Sequence, residues 1–168
     1  WAHAGDVEEM CLCLDEAKII RKKECNRENC NDNIVKMIEI VEKCGNAIAF
    51  HHKMLDDVNE NMKFEDEKAE DHTIMAVKFA KYGLLDMMNK QIGHAKSLVV
   101  EKEIDKLNFV EITGYKISCY RDLITAIVNV TKNNKQIANN FLQSAKEFSK
   151  KSGVDVKEEV KMIEKIMK

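Results

Sequence analysis

The chain is 168 residues long, with 27 basic against 29 acidic residues and a formal charge of −2, so its total charge gives no reason to expect nucleic acid or an anionic membrane as partner. At that length it forms a single domain over residues 1–168 that buries roughly two-thirds of its unfolded surface. Zero proline, six glycines and one-third charged residues favour long helices with few enforced stops. No apolar run approaches the ~18 residues of a membrane span.

Residues 1–4 contain Ala2-His3-Ala4, a small-residue pattern that fits either the tail of a cleaved signal peptide or residues added for expression. Apolar spacing then predicts five helices. The first covers about 6–23 and opens on Asp6, with Glu8 and Glu9 where acids suit the helix dipole. The second covers 33–62. Ile34, Val41, Ile48, Leu55 and Met62 recur every seven residues, and Met37, Cys44, His51 and Val58 fill the alternate positions, a seam for helices crossing at a shallow angle.

An acidic knuckle separates this helix from a third over 70–100, whose Ile74, Val77, Leu84, Leu85, Met88, Ile92, Ala95 and Val99 are expected to point inward. A fourth pattern runs from 103 to 149 through Leu107, Val110, Ile117, Ile124, Val128, Ala138, Leu142 and Ala145, either unbroken or divided at Thr131-Lys132-Asn133-Asn134-Lys135. Gly153 stops it, and Asp155 with Glu158 restarts the chain as a capping box before Val156, Val160, Ile163 and Met167. Charge is uneven along this path. Residues 55–72 carry eight acids against Lys63 and Lys68, and residues 132–168 carry nine lysines against five acids. A solvated turn and a lysine-coated helix account for both blocks.

Six cysteines stand at 11, 13, 25, 30, 44 and 119. If the first two helices form an antiparallel hairpin, facing residues have numbers that add to a constant. Cys25 with Cys30 and Cys11 with Cys44 both give 55. Cys13 lies about 200° around the helix from Cys11, which leaves it Cys119. The expected set is therefore Cys11–Cys44, Cys25–Cys30 and Cys13–Cys119, one of 15 connectivities. Zinc would need four converging ligands at short spacings, and C-x-C with C-x4-C supplies no such set. A disulfide-braced, all-α antiparallel bundle of about five helices implies an oxidising compartment, hence a secreted, extracellular protein, with Asn129-Val130-Thr131 as a glycosylation candidate at Asn129. In cysteine number and helical content the chain resembles insect odorant-binding proteins, but the C-x3-C and C-x8-C pairs of that family are both missing, so none of its residues is carried over.

Catalytic machinery is not expected. The histidines form no H-E-x-x-H pair, and no phosphate loop, nucleophile elbow or calcium loop is present, so neither a metal nor another cofactor is expected. His51 sits on the seam and is expected to be buried and neutral. Two binding functions remain. The first is a rigid extracellular scaffold that engages another protein, as an effector or cytokine-like ligand would. The alternative is a carrier for a small hydrophobic ligand held between the second and third helices by His51, Met54, Leu55, Leu84, Leu85, Met88 and Ile92, since methionine lines adaptable pockets. The first requires a closed core at those residues, the second a cavity.

Overall fold

The structure, a computed structural model, describes residues 1–24 and 32–168. Among them it is all-helical. A 3-10 turn at Ala2–Ala4 is followed by α1 (Val7–Glu24), α2 (Asp32–Asn61), α3 (Glu67–Tyr82), α4 (Leu85–Lys96), α5 (Glu101–Thr131), α6 (Lys135–Ser152) and α7 (Lys157–Ile166). There are thus seven α-helices among the described residues, not five.

Both additional breaks have local causes. Gly83 takes φ +72°, a left-handed conformation that closes α3 with its N–H on the Ala80 carbonyl and divides the expected third helix. Asn133, at φ 59°, turns the chain between α5 and α6, and asparagine tolerates that conformation better than most residues. The start of α3 is fixed from the knuckle, where the Asp66 carboxylate accepts from the Lys68 and Ala69 N–H groups at 2.8 and 3.3 Å.

The core is one continuous cluster. Ile40, Ile48 and Leu55 from α2 pack with Met88 and Ile92 from α4, Leu107, Ile117 and Leu123 from α5, Leu142 from α6 and Ile163 from α7. The seven-residue seam of α2 is therefore buried at Ile48 and Leu55, half-buried at Val41 and Met62, and exposed at its first member, Ile34. Of the residues expected inward, Leu84 and Val128 face out. Two glycines permit close helix approach. A Cβ on Gly114 of α5 would stand 2.3 Å from the Met88 sulfur, and one on Gly45 of α2 would stand 2.1 Å from the Met10 sulfur.

The Met10–Gly45 contact explains the outcome for the cysteines. Those two numbers add to 55, so α1 and α2 pair in the expected register, but Met10 occupies the facing position and Cys11 is turned about 100° away from it. Cys11, Cys13, Cys44 and Cys119 are all free thiols in the structure, which corrects the pairs Cys11–Cys44 and Cys13–Cys119. Cys13 is exposed on α1, whereas Cys119 is buried and donates from its Sγ to the Ala145 carbonyl of α6 at 3.2 Å. Cys44 is fully buried, and burial raises its thiol pKa, with the Glu159 charge adding to the rise. The pair Cys25–Cys30 lies outside the described residues.

No described helix is long and apolar enough to cross a membrane.

Candidate functional site

A cleft of about 640 Å³ lies at the corner where α3 meets α4. Its floor is α5. Tyr115, Ser118, Asp122 and Thr125 recur at helical spacing along it, with Arg121 beside them. One wall is the chain from Tyr82 to Asn89, including Leu84 and Leu85, and the other is Ser144, Phe148 and Lys151, again at i, i+4 and i+7 on α6. His3 of the N-terminal turn closes one end.

The helix end at Gly83 organises this corner. The last carbonyls of a helix have no intrahelical donor. That of Lys81 accepts from Arg121 Nη2 at 2.7 Å and lies 3.1 Å from His52 Nε2. Arg121 Nε donates to the His3 carbonyl at 2.9 Å, so a single guanidinium ties α5 to the end of α3 and to the N-terminal turn. Glycine at 83 is required twice over, for its positive φ and because a Cβ there would stand 2.8 Å from Arg121 Nη1. Lys81 completes the junction with an ion pair to Asp56 of α2 at 2.7 Å.

The polar groups of the cleft are only partly satisfied. Asn89 Oδ1, Ser118 Oγ and Asp122 Oδ2 are buried without a hydrogen-bond partner, and all three residues line it. A buried polar atom left unpaired costs about 1–3 kcal/mol, so their concentration in one recess makes it the candidate site. Burial pushes the Asp122 carboxyl up to about 6, with a hydrogen bond from Ser144 working against the rise. His3 is pulled below its ordinary value by burial, with the Arg121 charge adding to the effect. Lys151 Nζ lies 5.1 Å from the Tyr115 ring centroid and 5.9 Å from that of Phe148, two rings that stack at 5.9 Å.

Thr125 and His3 bring a hydroxyl within 3.1 Å of an imidazole nitrogen, but the Thr125 proton is given to the Arg121 carbonyl at 2.9 Å. His3 Nε2 is then the donor to Thr125, and the pair does not activate a nucleophile.

The ligand residues expected from sequence divide into three groups. Leu84 and Leu85 line the cleft. Met54 lines a shallower groove with Val58, Met62 and Phe109. His51, Leu55, Met88 and Ile92 are buried in the packed core. His51 stacks on Tyr120 with centroids 6.1 Å apart, and burial lowers its pKa to about 4. Asn129 lies in the last turns of α5, half-buried, with its Nδ2 donating to the Thr125 carbonyl at 2.8 Å. His72 and His94 stack at 5.1 Å, and His72 Nδ1 lies 2.7 Å from Gln91 Oε1. Among the described residues no three His, Cys, Asp or Glu side chains converge to hold a metal.

Sequence reasoning missed Ser118, Arg121, Asp122, Ser144 and Lys151. The available signal was a polar stripe at helical spacing on α5 and another on α6. Against known protein families, curated proteins and solved structures, the chain matches none.

Proposed function

We propose that this protein works by binding and not by catalysis, as a carrier or sequestering protein for a small amphiphilic molecule seated in the cleft beside α5. One observation carries the proposal: three buried, unpartnered polar atoms, on Asn89, Ser118 and Asp122, gather in one recess that also presents Leu84, Leu85, Tyr115 and Phe148. Its volume falls in the ~300–1,000 Å³ range of small-molecule sites. This departs from the carrier expected between α2 and α3, because His51, Leu55, Met88 and Ile92 are all buried. The test is a thermal-shift screen of small amphiphiles against the protein and a Leu84→Trp variant. Leu84 is half exposed, so the indole fills the cleft without burdening the core. Compounds that raise the melting temperature of the protein should lose that effect in the variant, and equal stabilisation of both would defeat the proposal.

A second reading, that the protein acts by engaging another protein, is favoured by α1. Val7, Leu12, Ile19 and Ile20 are exposed along that helix, Leu12 at 62%. Photo-crosslinkers at Leu12 and at Leu84 would separate the readings, since a protein partner on α1 is captured only from position 12. Secretion belongs to either proposal and rests on the expected pair Cys25–Cys30. Non-reducing peptide mapping of the natural protein tests that bridge directly.

A further inference from the structure

Arg121 is held as a recognition group is held. Of its five N–H donors, Nε is committed to the His3 carbonyl at 2.9 Å and one on Nη2 to the Lys81 carbonyl at 2.7 Å. Both acceptors are backbone atoms at fixed helix or turn ends, so the guanidinium is immobilised without losing its charge to a bonded carboxylate. Both hydrogens of Nη1 and one of Nη2 remain. Nη1 stands 2.8 Å from where a Cβ on Gly83 would be, and that same missing Cβ would stand 3.7 Å from the unpartnered Ser118 Oγ. The open donors of the arginine and a buried hydroxyl thus converge at one point of the cleft wall. A guanidinium fork matches a carboxylate in two parallel hydrogen bonds.

The rest of the cleft sets what may be attached to that carboxylate. Leu84, Leu85 and the stacked Tyr115–Phe148 pair give an apolar wall, and Lys151 over those rings supplies a second cation. Two acids share the lining. Asp86 is exposed in solvent, and Asp122 accepts from Ser144. We propose that the cleft binds an organic carboxylate, its anionic end on the free donors of Arg121 and on Ser118, its hydrocarbon body against Leu85, Tyr115 and Phe148. This rests on the cleft being the ligand site and adds the chemical class of the ligand.

The experiment is a calorimetric titration of the full chain with three matched probes, 3-phenylpropionate, 3-phenylpropanol and 3-phenylpropylamine, and with inorganic phosphate, at neutral pH and low salt. The carboxylate should bind at least tenfold more tightly than the alcohol or the amine. Arg121→Lys, which keeps the charge and removes the fork, should weaken it about tenfold, and Ser118→Ala about threefold. Because Arg121 also ties His3 and Lys81 together, each variant is first compared with the parent by circular dichroism. If Arg121→Lys fails to fold, Ser118→Ala and the weakening of binding by added salt decide the matter. Equal affinity for all three probes would overturn anion recognition while leaving the cleft as a site. Tight phosphate binding with none for the carboxylate would overturn the assignment of class. Absence of binding by any probe, when screened amphiphiles still lose their effect in Leu84→Trp, would overturn this inference alone.

Discussion

Replacing Asp122 with asparagine keeps the shape of the side chain and removes its charge, which isolates the cost of holding a carboxylate at the floor of the cleft. Burial raises its pKa from an ordinary 3.8 to about 6. A group whose folded pKa is raised binds more protons folded than unfolded between those values, so its contribution to stability is present below about pH 4 and is lost as the pH climbs through about 6. A rise of that size corresponds to about 3 kcal/mol at full effect, and solvent at a partly open cleft reduces this to about 1–2 kcal/mol. The asparagine resembles the protonated acid at every pH. The Asp122→Asn protein should therefore match the parent at pH 3.5 and exceed it by about 1–2 kcal/mol at pH 7, offset only by whatever the Ser144 hydrogen bond loses. Urea unfolding followed by circular dichroism, at constant ionic strength across pH 3.5 to 7, reads this difference. A stability difference independent of pH would refute the claim that the carboxyl is desolvated.

His51 should behave with the opposite sign. Its folded pKa is lowered from 6.5 to about 4 by burial first, with Lys116 and His52 adding repulsion. The unfolded chain then binds the extra proton, and stability falls as the pH drops from about 6.5 to 4. His51→Gln should remove about 2 kcal/mol of that acid sensitivity in the same titration. The thiols should sort by burial under alkylation at pH 8. Cys13 should react at once, while Cys44 and Cys119, whose pKa values burial raises (to about 12 for Cys119), should react only as the protein unfolds. Rapid labelling of all of them would show that the α2–α5 packing is wrong. Gly45→Ala should cost about 1–3 kcal/mol through the clash with Met10, and should cost less in a Met10→Ala background, a coupling that a double-mutant cycle by denaturation would show.

The helices were legible because their signals are local. The α2 seam, the acids opening α1 and the stop at Gly153 each act within a few residues. Gly83 was equally local, a glycine after Lys81 and Tyr82, but the apolar spacing of Val77, Leu84 and Met88 continues across it and masks the break. The register of the α1–α2 hairpin was readable from residue numbers alone. Which side chain stands in the facing position was not, because one residue turns a helix by about 100° and Met10 took the place expected of Cys11. The cleft was hidden for a different reason. Arg121 matters through carbonyls at His3 and Lys81, 118 and 40 residues away in the chain, and no local pattern encodes such a junction.

The measurement closest to the centre of this account is chemical-shift mapping of the labelled protein during titration with 3-phenylpropionate. Binding beside α5 predicts the largest changes at Leu84 and Leu85, at Ser118 and Arg121, and at Ser144 and Phe148, with His51, Leu55 and Ile92 unmoved. Changes centred on His51, Leu55, Met88 and Ile92 would contradict it, returning the ligand to the space between α2 and the α3–α4 pair.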